Sequence, residues 1–113
     1  MSYDIDLYAT IDTGHADGPM TITIAEVGNY TSNVSGMWAD AIGHRLFELN
    51  GRTAGDALEQ LTEAVARMRA TPDHYRAMEP ANGWGNYDGA LQYLDRLRDA
   101  CESHPKTTIR ISA

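Results

Sequence analysis

At 113 residues and a formal net charge of −7, the chain suits one domain, residues 1–113, that buries roughly two-thirds of the surface its unfolded form exposes. Nucleic acid and anionic membrane both require clustered Lys and Arg, so the acidic balance excludes them as non-specific partners. The dispersed acids read as a solvated surface rather than as a mimic of DNA. A lone cysteine, Cys101, excludes an intrachain disulfide.

Tyr3, Ile5, Leu7, Ala9 and Ile11 alternate with Asp4, Asp6, Tyr8, Thr10 and Asp12. Period two means a strand with one face buried and one wet. Residues 12–19 are rich in turn formers. Met20, Ile22 and Ile24, alternating with threonines, predict a second strand that pairs antiparallel with the first and fades by Gly28. Ser32 or Asn33 is placed to cap a helix, because its side-chain oxygen can accept from a free first-turn N–H. Val34, Met37, Trp38, Ala41 and Ile42 then recur at helical spacing as far as Gly43.

Asn50-Gly51 marks a turn. Thr53, followed by Asp56, resembles a capping box, and Leu58, Leu61, Val65 and Met68 stripe a helix ending near Ala70. Thr71-Pro72 restarts the chain as a short helix that reaches about Met78 before Pro80 stops it. Ala90, Leu91, Leu94, Leu97 and Cys101 define the last helix, which ends at His104-Pro105. Ile109 and Ile111 alternate in a final strand. The order predicts an α+β domain: a small, mainly antiparallel three-stranded sheet of order 2-1-3 with about four helices on one face. The expected core joins Leu58, Leu61, Val65, Leu91, Leu94 and Leu97 to Ile5, Leu7, Ile22 and Ile24.

Two further segments use aromatics and asparagines where no regular element demands them. One is Asn29-Tyr30-Thr31-Ser32-Asn33. The other is the glycine-punctuated Asn82-Gly83-Trp84-Gly85-Asn86-Tyr87. With their flanks at 29–38 and 82–91, and with Leu-Asn-Gly-Arg-Thr-Ala-Gly at 49–55 and His-Pro-Lys-Thr-Thr-Ile-Arg-Ile-Ser at 104–112, they resemble a group of small proteins of actinobacteria, other bacteria and phages. The resemblance implies a bacterial or phage cytoplasmic origin and brings no activity with it.

Each segment precedes a predicted helix, where free N–H groups gather. Asn29, Thr31, Ser32, Asn33, Asn82 and Asn86 offer neutral donors and acceptors. Tyr30, Trp84 and Tyr87 offer flat faces for a base or a sugar ring. If the segments converge, they form a pocket for a nucleotide-like or glycan-like ligand or for the tip of a partner. Convergence predicts Thr31 or Asn33 within hydrogen-bond reach of the 82–87 backbone, and a Trp84 that is only partly buried. The competing reading is structural: Asn and Ser cap helices, Gly turns the chain, and the aromatics plug the edge of the core.

No His or Cys spacing matches a metal site, no Gly-x-Ser-x-Gly or phosphate-binding glycine pattern occurs, and no cofactor is implied. His44 with Arg45 reads as a helix-end pair that could join an anion site, and Cys101 as a small core residue. No apolar run approaches the ~20 residues that span a bilayer. No basic-then-apolar stretch opens the chain, so a soluble cytoplasmic protein is expected. The functional expectation is a non-enzymatic binding module acting through residues 29–33 and 82–87. Its alternatives are a protein-interaction or homo-oligomerising domain that uses the sheet edge, as in a phage host-takeover or anti-defence protein, and a small hydrolase.

Overall fold

The alternation along β1, Ser2–Ile11, buries Tyr3, Ile5 and Leu7 on one face and leaves Asp4 wet on the other. A computed structural model describes all residues, 1–113. β2, Met20–Thr31, pairs antiparallel with β1 on one side, and β3, Thr108–Ser112, does so on the other, in the order β2-β1-β3. Ile5 lies opposite Ile111 and Leu7 opposite Ile109, so β1 and β3 share their buried face. On the wet face Arg110 donates to both carboxylate oxygens of Asp6, at 2.9 and 3.0 Å. This sheet, with four helices, is the α+β architecture read from the sequence.

β2 departs from expectation at both ends. It does not fade at Gly28. Gly28 takes φ +100° beside a register shift in the β1–β2 pairing, a conformation glycine adopts without penalty. Beyond the bulge Asn29, Tyr30 and Thr31 pair with Asp4, Tyr3 and Ser2. The first of the two polar-aromatic segments is therefore mostly strand.

At the other end Ile22 and Ile24 are not core: they are 36% and 43% exposed. β3 stops opposite Tyr8, so the outer part of the β1–β2 hairpin is a two-stranded arm. Along it burial fades from Leu7 through Ala9 to Ile11, and the inward-facing pattern has no layer above it.

Residues Ser32–Val34 form a tight 3₁₀ turn leading into α1, Ser35–Ile42. The cap is Thr31, one residue earlier than expected, whose hydroxyl accepts from the Asn33 N–H at 3.3 Å. Gly43, at φ +98°, ends α1. A second 3₁₀ turn at Leu46–Leu49 precedes α2, Ala54–Ala70. Thr53 makes no side-chain capping bond; the Thr107 and Pro105 carbonyls accept from Ala54 and Gly55 instead, at 2.8 Å each. α3, Pro72–Arg76, is a single turn and a half, shorter than expected. α4, Tyr87–Ser103, closes the helical layer.

The core lies between the sheet and the α2–α4 pair. α2 contributes Leu61, Val65 and Met68 among small alanines, and α4 contributes Tyr87, Tyr93, Leu94, Leu97 and Cys101. Leu58 and Leu91 sit at its margin. Trp38 of α1 is fully buried, and its indole N–H donates to the Ala90 carbonyl at 3.0 Å. That bond removes the cost of burying an unpaired donor. No helix is long and apolar enough to cross a membrane.

Candidate functional site

The two polar-aromatic segments meet. Because β1 is central and antiparallel to β2, the start of β1 lies beside the end of β2, with Ser2 opposite Thr31. α4 packs against this same end of the sheet: the Tyr93 hydroxyl donates to the Gly28 carbonyl at 2.9 Å. The loop before α4 is thereby carried over the end of β2. Its contact is made by the Tyr30 hydroxyl, which accepts from the Asn86 N–H at 3.1 Å. Gly85 completes it: a Cβ there would lie 2.6 Å from the Thr31 methyl. Neither Thr31 nor Asn33 hydrogen-bonds the loop; their own bond to one another takes that place.

The junction leaves a groove of about 490 Å³ lined by Met1, Ser2, Asn29, Thr31, Asn33, Asn82 and Trp84. Trp84 is the most exposed aromatic in it, at 67%. An Asx turn positions it, the Asn82 side-chain oxygen accepting from the Trp84 N–H at 2.9 Å. Gly83 and Gly85, at φ +76° and +96°, flank it. The Asn29 amide donates to the Ser2 hydroxyl oxygen at 2.9 Å. The Asn33 amide has no partner, and those of Asn29 and Asn82 are each only partly used. None of the lining side chains is charged.

Four of the nine sequence candidates do not reach the groove. Tyr30 is packed against Trp38 and Tyr93, with ring centroids 6.2 and 5.9 Å away. It holds the two segments together instead of offering a face to a ligand. Tyr87 is buried in the core, and its hydroxyl donates to the Met68 carbonyl at 2.5 Å. Asn86 caps α4, its side-chain oxygen accepting from the Gly89 N–H at 2.7 Å. Ser32 donates its hydroxyl proton to the Met1 carbonyl at 3.0 Å.

Met1 and Ser2 line the groove without having been singled out in the sequence. Only the antiparallel register, which sets the start of one strand against the end of the next, could have pointed to them. The His44–Arg45 pair does not join the groove: the ring nitrogens of His44 meet the Arg45 carbonyl and the Gln60 amide, at 2.8 and 2.7 Å. No family model matches the chain, and comparisons with curated proteins and with solved structures give no match.

Proposed function

We propose that the chain is a binding module that captures a small polar ligand, or the tip of a partner, in the groove between the end of β2 and the loop before α4. One observation carries the reading. Trp84 is held out of the core by its own backbone turn, over a floor of underused amides and hydroxyls. Burying an indole on folding would stabilise the chain by a few kcal/mol, so leaving one 67% exposed forgoes stability where a binding face gains from it. The lining side chains contain no acid, base or nucleophile with a paired base. Their chemistry suits holding a ligand rather than transforming one.

A thermal-shift screen over sugars, nucleosides and nucleotides tests this. A ligand at a hundredfold excess over its Kd should raise stability by about 2.7 kcal/mol. The rise should vanish in a folded Trp84→Ala variant. Stabilisation that survives Trp84→Ala would place the site elsewhere.

A second reading rests on the hairpin arm. Ile11, Met20, Ile22 and Ile24 are 36–55% exposed, and β2 is an edge strand with no neighbour on its outer side. Met20–Ala25 carries no charge, no Pro and no Gly to blunt that edge. The register shift near Ile24 interrupts the edge, so Met20–Thr23 is its regular part. A contact there between two copies of the chain is small, which corresponds to weak, concentration-dependent association. Light scattering at rising concentration tests it. A mass that climbs in the parent chain and not in Ile22→Lys supports the contact, and a constant monomer mass removes it.

A further inference from the structure

Resting on the groove reading, we propose that the ligand is a neutral carbohydrate, held with one face of a sugar ring against Trp84 and its hydroxyls on the asparagine floor. Three observations select this class. The first is charge. None of the seven lining side chains is Lys or Arg, and Asp4 stands opposite Asn29 in the β1–β2 pairing, on the same wet face. A phosphate or an acidic sugar would find no cationic lining side chain to pair with and would approach Asp4. Nucleotides and acidic glycans are therefore disfavoured by the same feature.

The second is the balance of donors and acceptors. The Asn33 amide is wholly unpaired, Asn82 retains its NH₂ group, and Asn29 retains its oxygen and one N–H. The Ser2 and Thr31 hydroxyl oxygens already accept a bond each and keep their protons to donate. A sugar hydroxyl is both donor and acceptor, so a mixed floor of amides and hydroxyls can satisfy several at once. A floor for an anion would be donors alone.

The third is the single platform. Tyr30 and Tyr87 are turned into the protein, which leaves Trp84 as the one aromatic face in the groove. A sugar offers C–H groups on one side and hydroxyls around its rim, matching one aromatic face beside a polar floor. The groove's open shape admits the end or a side of a chain as readily as a free monosaccharide.

The test is a titration of the full chain with neutral oligosaccharides of glucose, mannose, galactose and N-acetylglucosamine. Isothermal titration calorimetry follows the titration, and adenosine, its monophosphate and an acidic oligosaccharide are run in parallel. Saturable binding of a neutral saccharide is expected, weakened at least tenfold by Trp84→Ala and several-fold by Asn33→Ala. Its affinity should be unchanged between low and high salt, because no charge is paired. Circular dichroism establishes that both variants remain folded. Binding of adenosine or its monophosphate but of no saccharide, lost in Trp84→Ala, overturns the carbohydrate class and keeps the groove. Saccharide binding that Trp84→Ala leaves intact overturns both. No binding across the saccharide panel overturns the proposal.

Discussion

Gly89 and Tyr30 touch so closely that no side chain fits between them. A Cβ on Gly89 would collide with the Tyr30 hydroxyl and lie 2.6 Å from the ring carbon that bears it. Gly89 is in the first turn of α4, where alanine is ordinarily the better helix former by about 1 kcal/mol. The ring cannot swing aside freely, because it is packed against Trp38 and Tyr93. Gly89→Ala is therefore expected to destabilise the fold, by about 1–3 kcal/mol as for overpacking, and to push the 82–87 loop away from β2. Denaturant unfolding measures the first effect, and loss of the Asn86 amide's protection from hydrogen exchange reports the second. A more stable Gly89→Ala protein would mean that the contact yields easily.

Cys101 is fully buried on α4, and burial pushes its thiol up to about 11 from an ordinary 9.0. The folded form then holds the thiol proton more tightly than the unfolded chain does. The resulting stability is complete below about pH 9 and is lost as pH rises through about 11. Burial also raises Tyr93 and Tyr75, the latter to about 12 with help from the Asp40 carboxylate, so all three act in the same direction. Denaturant midpoints at about pH 8 and about pH 10.5 should show a loss of stability, of which the thiol supplies roughly 1–2 kcal/mol. Cys101→Ala should shrink the difference. At neutral pH the native thiol should label slowly and the denatured one quickly.

The core can be separated from the arm by truncation. Leu61 and Leu94 are fully buried, and Leu61→Ala or Leu94→Ala should each cost about 2–5 kcal/mol. Ile22→Ala and Ile24→Ala, on the uncovered arm, should each cost less than about 1 kcal/mol. Equal losses at the two pairs of sites, read from chemical denaturation, would mean that the arm is covered in solution.

That contrast marks where the sequence stops being legible. Period two at Tyr3, Ile5 and Leu7 and helical spacing at Leu61, Val65, Leu94 and Leu97 are local signals, and the structure follows them. Ile22 and Ile24 carry the same local signal, yet they are exposed. Whether a strand face is covered depends on how far the opposite layer extends, and local pattern does not encode that. The meeting of the two polar-aromatic segments is a conditional in the sequence, because it depends on the β1–β2 register and on α4 packing against that end of the sheet. The hydrogen-bond partners are not legible there: Tyr30 reads equally as a ligand platform and as a brace, and only its packing against Trp38 and Tyr93 decides for the brace. Tyr87 belongs to the core because α4 begins with it, one residue after the Asn86 cap, so the helix turns its ring inward.

The two tryptophans provide the sharpest separation of fold from binding. Trp38 is fully buried, makes edge and tilted contacts with Tyr3 and Tyr93 at 5.6 and 5.5 Å, and donates to the Ala90 carbonyl. Trp38→Ala removes that packing and the buried indole's bond to a carbonyl that keeps its helical partner, so it should cost about 3–5 kcal/mol. Trp84 projects from a turn held by Asn82 and rests on little else. Trp84→Ala should change stability by no more than about 0.5 kcal/mol while removing the aromatic face of the groove. Asn82→Ala should resemble Trp84→Ala. It releases the turn that aims Trp84 without touching the core, so ligand affinity should fall while the unfolding midpoint scarcely moves. Unfolding curves and ligand titrations on the same three variants check this. A Trp84→Ala chain that loses several kcal/mol would make Trp84 a structural plug and leave the groove without its binding face.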